Sequence, residues 1–330
     1  MKHGNVSQTV YRRSVLKQLH VNKDAVLVSP AQEENCYGIR VDGDCQQISS
    51  SVSLYGDEKD LCLYGLAQAV NNVSTRGAIA KGVSFSIMLP DYAYESRIKA
   101  MIATATEIAE SRNLQILGVN VQIVPHIQTT IVHTTAIGEV KKLIKSSDAK
   151  AEQDVVMIGY MGLEGTFRIL RAKEQQLKER FIPSFLGRIE TYKDMLFAEE
   201  ALQNVLETEV SAMHQVTDGG IMAALWNLAE GADIGLSVDM RKIPVKQETI
   251  ELCECFHLNP YQLTSAGCVL VVTPRGEELV EKLFANGVKA TVIGRTTADN
   301  ERVMVTEGEK RYLDRPQPDE LTKILGGVPC

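Results

Sequence analysis

Apolar residues recur along the chain with two different periods, which predicts that helices and strands are interleaved. Alternate positions from Val83 to Leu89 are apolar, as in a strand with one buried face. From Ile98 to Ala109 the apolar residues recur every three or four positions, the pattern of a helix that packs on a sheet. An earlier helix is predicted to open at Gly56-Asp57-Glu58 and to bury the apolar positions between Cys62 and Val73. This interleaving favours an α/β protein.

The same patterns predict the remaining elements. Strands are expected at 25–28, 38–41, 115–117, 121–124, 130–137, 155–159, 235–238, 268–272 and 290–294, and helices at 15–19, 219–231, 247–256 and 277–285. The small, polar segment Lys145–Lys150 is typical of a linker. We therefore expect two domains with mixed sheets, residues 1–145 and 151–330.

Composition and charge narrow the class of protein. The chain has 330 residues, of which 44% are hydrophobic and 23% charged, as in an ordinary globular protein. Its net charge is −7 and it has no long run of Lys and Arg, so neither nucleic acid nor a membrane surface is an expected partner. No apolar run approaches the roughly 20 residues that span a bilayer. The polar start is not typical of a signal peptide, and the seven scattered cysteines indicate reduced thiols. A cytoplasmic location is expected.

Several short motifs carry more information than the composition. Asn71–Ala78 ends the early helix, Gly118–Pro125 follows a strand, and Met213–Gly220 precedes another helix. Further segments are Gly162–Thr166, Asn259-Pro260, Ser265–Gly267 and Ile293-Gly294. In order and spacing, over nearly the whole chain, these motifs resemble the aminoimidazole ribonucleotide (AIR) synthetase or PurM-like superfamily. The pattern is most similar to the hydrogenase maturation branch (HypE-like carbamoyl dehydratases) and to AIR-synthase-related proteins.

The resemblance implies a fold and an ancestral chemistry. It implies a two-domain α/β (α+β) fold, in which the N-terminal domain forms a homodimer through its sheet and the C-terminal domain is an α/β sandwich. Members of the superfamily bind ATP in a cleft near the dimer interface, where magnesium bridges the phosphates to aspartates. They phosphorylate an oxygen or selenium atom of a small substrate, or activate it with phosphate.

The positions at which the family has those aspartates carry neutral residues in this chain. They are Asn35, Ser50, Asn72, Asn120 and Gln215. Magnesium requires anionic oxygens at short distance, and phosphoryl transfer depends on such ions. The resemblance also places Gly219 and Gly220 in the nucleotide cleft. We therefore expect no bound metal, and a catalytically degenerate dimeric scaffold or regulatory protein. It would bind ATP without magnesium, another small ligand, or a protein partner.

An active phosphoryl-transfer enzyme with relocated metal ligands is the alternative. Acidic candidates for such ligands are Glu33, Glu34, Asp42, Asp44 and Asp218. However, Asp42-Gly43-Asp44 is more typical of a solvated turn, and Asp218 is as typical of a helix cap as of a metal ligand.

Three residues are candidates for a direct catalytic role: Asp218, His214 and Cys330. In the hydrogenase maturation relatives a terminal cysteine carries the carbamoyl group. In this chain Pro329 adjoins Cys330 and the relatives' Arg-Ile pair is absent, so a bystander thiol is favoured.

Overall fold

Two β-sheets organise the residues that the structure describes. The computed structural model describes residues 8–9, 26–28, 37–39 and 46–326. The helix predicted at 15–19 lies outside them. The first sheet is built from residues up to 140 and the second from residues 154–312. Mixed α/β architecture, predicted from the interleaved periods, is confirmed. None of the helices in the described ranges combines the length and apolarity that crossing a bilayer requires.

Within the described ranges, the first sheet has six strands. They are β1 (Val26–Val28), β2 (Tyr37–Ile39), β3 (Gln46–Gly56), β4 (Ile79–Leu89), β5 (Gln115–Ile123) and β6 (Thr130–Val140). Their order is β1-β2-β3-β6-β4-β5, and only the β4–β5 pair is parallel. Two helices, α1 (Leu61–Ser74) and α2 (Glu95–Ser111), cover its inner face.

Helix α1 is buried on every side. All 14 of its residues are buried, including the polar residues Gln68, Asn71 and Asn72. A helix that lies only on a sheet would keep a solvated polar face. Here the second half of the chain covers that face, since Phe167 and other apolar residues of the second half complete the same hydrophobic core. The polar face of α1 is therefore an internal contact surface.

The second sheet has seven strands with helices on both faces. The strands are β7 (Asp154–Ile158), β8 (Ala212–Gln215), β9 (Gly235–Asp239), β10 (Val269–Thr273), β11 (Ala290–Thr297), β12 (Arg302–Thr306) and β13 (Glu309–Tyr312). Their order is β13-β12-β9-β11-β7-β10-β8, antiparallel except for β9–β12. The helices are α3 (Leu163–Ala172), α4 (Glu174–Arg180), α5 (Pro183–Glu190), α6 (Glu199–Leu206), α7 (Gly220–Ala232), α8 (Gln247–Cys255), α9 (Gly276–Ala285) and α10 (Thr322–Leu325). Alternate residues of the central strands enter two separate cores, one formed with α7 and the other with α6 and α9.

Some predicted elements need correction. The strands β3, β8, β12 and β13 were not predicted, and the two strands expected near 115–124 form one strand, β5. Gly56 ends β3, so the helix begins at Leu61 and not at Gly56. The segment predicted as a linker lies between the last strand of the first sheet and the first strand of the second. It contains a 3₁₀ turn at Ser146–Asp148, and the buried Ser146 donates its hydroxyl to the Met213 carbonyl of the second half.

Candidate functional site

Three of the five neutral positions meet where α1 passes between the two halves. Gln215 Nε2 lies 2.6 Å from Asn72 Oδ1, and Asn72 Nδ2 lies 3.0 Å from Ser50 Oγ. All three side chains are buried, with exposed fractions of 0–4%. We call Ser50, Asn72 and Gln215 the neutral triplet. It forms one hydrogen-bonded series that runs from β3 through α1 to β8.

Local structure explains why these three residues converge. Ser50 is an inward-facing position of β3, and Asn72 lies in the last turn of α1. Gln215 is the last residue of the edge strand β8, which packs against α1. Gln215 Nε2 also donates to the backbone carbonyl of Gln68, at 3.0 Å. These bonds cross the junction without any charge, and Gln215 Oε1 is left as a buried acceptor with no partner among the described residues.

The neutral triplet does not fit magnesium. A magnesium site needs anionic oxygens free to point at the ion, and three converging carboxylates would repel one another without it. Here the Asn72 oxygen accepts from Gln215, and the Asn72 and Gln215 nitrogens act as donors. Among the described residues, no group of three or more His, Cys, Asp or Glu side chains is arranged to hold a metal.

Asn71 fixes the same helix to the second half, a role that its motif did not reveal. Its Nδ2 donates to the Leu196 carbonyl at 2.8 Å, and its Oδ1 accepts from the Ala198 amide at 2.8 Å. The residue is fully buried. Two such bonds across the junction fix the position of α1 relative to the 3₁₀ turn Lys193–Leu196.

A buried arginine at the other side of α1 was also missed by sequence reasoning. Arg168 of α3 pairs with Glu58 at 3.0 Å and lies 3.8 Å from Glu164. Glu164 accepts from the Gln68 side chain at 2.7 Å, so this ion cluster is joined to the neutral triplet through one glutamine. Burial raises the pKa of Glu164, and Arg168 opposes that shift. The four-residue spacing of Glu164 and Arg168, which brings two side chains together wherever the segment is helical, was the available signal.

His214 is a buried neutral side chain. Its Nδ1 lies 3.1 Å from the Ser146 hydroxyl, and Arg76 lies close enough to affect its charge. Burial, with Arg76 adding to the effect, lowers the pKa of His214 to about 3. An imidazole with that pKa does not accept a proton near neutral pH. The burial of His214 and its contact with Ser146 therefore favour a structural role.

Asp218, Gly219 and Gly220 form the turn that begins α7. Both glycines have left-handed backbones, with φ of 78° and 66°, and a Cβ on Gly220 would lie 2.5 Å from the Tyr261 carbonyl oxygen. The Gly219 amide donates to Asp319 Oδ2 at 2.9 Å. The side chain of Asp319 therefore already accepts a hydrogen bond from one of the backbone amides that a phosphate would use at the start of such a helix.

Asp218 and Asp319 are neighbouring acids with different access to solvent. Asp218 is exposed, yet the surrounding protein still raises its pKa by desolvation, with Arg168 opposing the shift. Asp319 is only 3% exposed, and its pKa is raised well above the ordinary value by burial and by the charge of Asp218. Of these two acids, Asp218 is therefore the one that a solute can reach.

Asn120 lies on the other face of the first sheet from the neutral triplet. It stands opposite Ser86 in the β4–β5 register, and Ser86 stands opposite His133. Directly paired residues share a face, and His133 bonds Ser53 on the outer side of β3 at 2.8 Å. This outer face carries a shallow cavity of about 360 Å³, which we call the outer hollow. It is lined by Ser84, Phe85, Ser86, Gly118, Val119, Asn120, His133 and Thr135.

The remaining candidate residues lie outside the described ranges. They are Glu33, Glu34, Asn35, Asp42, Asp44 and Cys330. The structure therefore brings together Ser50, Asn72 and Gln215, places Asp218, Gly219 and Gly220 beside the Arg168 cluster, and separates Asn120 from both within one chain.

Comparison with known proteins identifies a family and relatives that the chain resembles. Residues 150–306 match the family model of the AIR synthase related protein, C-terminal domain. A putative hydrogenase expression/formation protein of Methanocaldococcus jannaschii is 23% identical over 274 residues, covering 80% of this chain and 79% of that protein. The carbamoyl dehydratase HypE of Rhodobacter capsulatus is 23% identical over 279 residues, covering 80% and 79%.

Solved structures show the same fold. The crystal structure of Escherichia coli HypE aligns with a TM-score of 0.71 at 19% identity, over 84% of this chain and 88% of that one. A chain of a HypE–HypF complex aligns with a TM-score of 0.68 at 18% identity, over 93% and 99%. The class is thus a two-domain α/β protein of the AIR-synthase type. The matched C-terminal domain, the relatives and the shared fold together support the PurM-like superfamily, with hydrogenase maturation proteins among the relatives of this chain.

Proposed function

We propose that this protein is a non-catalytic member of its superfamily, a homodimeric scaffold or regulatory protein that binds a small ligand. The observation that carries the proposal is the neutral triplet. Its two amides and one hydroxyl group bond to one another without carrying any charge, with a 2.6 Å contact between Gln215 and Asn72. A cleft that positions magnesium and ATP for phosphoryl transfer requires carboxylates at such positions.

The turn before α7 supports the same proposal. Asp319 accepts a hydrogen bond from the Gly219 amide and another from the Leu321 amide, at 2.9 and 2.8 Å. A phosphate would have to displace this buried acid or share the site with it. Nucleotide binding without magnesium is therefore expected to be weak, and a ligand with less negative charge fits the turn better.

The outer hollow supports a homodimer. A sheet face that carries hydroxyl groups and short side chains, beside the exposed strand β5, is suited to face a second sheet. Gly118 lines the hollow, and a Cβ added there meets nothing within 4 Å. Gly118→Arg should fold and yet obstruct the hollow. Gly187→Arg, on exposed α5 and also unobstructed, is the matched control.

Sedimentation velocity tests the dimer. The native chain and Gly187→Arg should sediment as dimers at micromolar concentration, and Gly118→Arg should dissociate. A monomeric native chain, or a dimer unaffected by Gly118→Arg, would contradict the proposed interface. Because a HypE-type structural relative forms a complex with HypF, a protein partner remains part of the proposal. Sedimentation velocity of the chain mixed with a HypF-type protein would test that interaction.

Calorimetry and phosphate release test the absence of catalysis. The native chain should show no magnesium-dependent binding of ATP or ADP and no release of phosphate. The double variant Asn72→Asp, Gln215→Glu restores two acids and is the informative control. If the variant alone gains magnesium-dependent ATP binding, charge is the missing component. Magnesium-dependent binding followed by turnover in the native chain would refute the proposal.

Asp218 supports one alternative, an enzyme with relocated ligands. It is an exposed carboxylate beside Arg168 and the Gly219-Gly220 turn, where a substrate could reach it. If the native chain turns over ATP, Asp218→Ala should abolish that activity. An unchanged rate in Asp218→Ala would exclude Asp218 as the relocated ligand.

A further inference from the structure

A second cavity opens at the far end of α1, away from the Gly219-Gly220 turn. Its volume is about 260 Å³, and it lies between the end of α1, the end of β6, and α6. It is lined by Gly77, Ile79, Lys141, Lys142, Ile144, Gln203, Leu206, Thr208 and Val210. We call it the lysine cavity. None of its lining residues belongs to the neutral triplet or the outer hollow.

The lining of the lysine cavity is divided into an apolar floor and a basic rim. Ile144 is buried, while Ile79 keeps 53% of its surface exposed although it is a large apolar residue. Lys141 and Lys142 are both exposed, and neither forms an ion pair with any residue in the described ranges. Glu207, which follows α6, is engaged by Lys282 at 2.8 Å, and Glu139 lies opposite Ile79 in the β4–β6 register. The two ammonium groups at the rim are therefore not held in an ion pair by the described part of the chain.

The backbone that forms the wall is tightly fixed. Gly77 has φ of +76°, and a Cβ there would lie 2.9 Å from the Lys142 carbonyl oxygen. The Ile144 amide donates to the Arg76 carbonyl at 3.1 Å. These contacts hold the basic rim against the end of α1, so the cavity is a feature of the folded backbone and not of side-chain rotamers alone.

We propose that the lysine cavity binds a small amphipathic anion, with a carboxylate or phosphate at the rim and a short apolar tail on the floor. Lysine ammonium groups bind such heads as point charges. The volume of about 260 Å³ lies just below the roughly 300–1,000 Å³ of drug-sized ligand sites, so an acid no larger than a small aromatic sulfonate fits. This site does not rest on the proposed function, because it uses none of the same residues.

Fluorescence titration with 1-anilinonaphthalene-8-sulfonate, itself an amphipathic anion, tests the proposal on the full chain. We expect one saturable site per chain, from which octanoate displaces the dye. Octanol, which has an apolar tail of the same kind and no charge, should fail to displace it at the same concentration. Equal displacement by both would overturn the proposal, since it would show binding to apolar surface only.

Charge-reversal variants locate the site. Lys141→Glu with Lys142→Glu changes the rim by four charge units and should weaken dye binding about tenfold or more. Lys99→Glu with Lys310→Glu makes the same change at two other exposed lysines and should leave binding unchanged. Ile79→Asn alters the floor at a half-exposed position, so the variant should fold and should bind the dye more weakly. Dye binding that survives both rim and floor changes would overturn the proposal.

Discussion

The neutral triplet makes a quantitative prediction about charge at Gln215. In Gln215→Glu the side chain keeps nearly the same shape but loses the amide donor. The Gln68 carbonyl at 3.0 Å and Asn72 Oδ1 at 2.6 Å then face a carboxylate oxygen. Each buried acceptor left without a partner costs about 1–3 kcal/mol, and an uncompensated buried charge costs about 3–5 kcal/mol. We expect the variant to lose about 3–5 kcal/mol of unfolding free energy at pH 7.

The sign of the pH dependence follows from the same burial. Gln215 is 1% exposed, so a carboxyl there has a raised pKa in the folded state. The folded variant then binds more protons than the unfolded chain, and its stability rises as the pH falls towards the unfolded value of about 4.3. Gln215→Leu is the control, because it loses the same bonds without a charge. It should be destabilised by about 2–3 kcal/mol with no added pH dependence.

Urea denaturation measures both effects. The chain has one tryptophan, Trp226, which is half-buried in α7, so its fluorescence reports on unfolding of the second half. Each variant is measured at pH 5 and pH 7.5 with a chelator present. A Gln215→Glu protein as stable as the native chain at pH 7.5 would refute the interpretation of the triplet as a neutral structural contact. Recovery of stability on adding magnesium would favour the alternative of a usable metal site.

Three further predictions concern other parts of the junction. Arg168→Met leaves Glu58 buried without its 3.0 Å partner, so urea denaturation should show a loss of about 3–5 kcal/mol, and an unchanged midpoint would contradict this. Asp319 has a raised pKa in the folded state, so the native chain should lose stability as the pH rises above about 4; Asp319→Asn should remove that slope between pH 4.5 and 7.5, and an identical slope would exclude this group as its source. Gly267→Ala places a Cβ against a backbone carbonyl at φ of +84°, whereas Gly287→Ala at φ of +73° meets no atom within 4 Å. Thermal unfolding should show a cost of about 1 kcal/mol for Gly287→Ala and a clearly larger one for Gly267→Ala; equal costs would mean that the crowding at Gly267 has no effect.

Much of the fold could be predicted because strong periodicity and position-specific motifs agree. The patterns around Val83–Leu89 and Ile98–Ala109 gave correct elements, and the motif ending α1 indicated the right superfamily. Strand β3 was missed because serines occupy both of its faces, so its sequence shows no clear alternation of apolar and polar residues. Its outer serines bond neighbours on the open face, as in the 2.9 Å contact between Ser51 and Thr135.

The candidate site was only partly predictable. A motif reports that Asn72 and Asn120 hold related positions in a family, but not which face of a sheet each one takes. The strand register determines the face, and it places Asn120 in the outer hollow. The Arg168 cluster depends on Glu58, which is more than one hundred residues away in sequence. Such pairing is set by tertiary packing, which local composition does not encode.

The complete burial of α1 also affects how the chain is made. Its last residue is Ser74, but the strand that supplies Gln215 is synthesised about 140 residues later. At translation rates of about 5–20 residues per second, the polar face of α1 waits roughly 7–28 s for its partner. During that interval an apolar helix with unpaired amides is accessible to chaperones and to other nascent chains. The first half therefore depends on the second for productive folding, and truncated chains that stop before Gln215 should be retained by chaperones or aggregate.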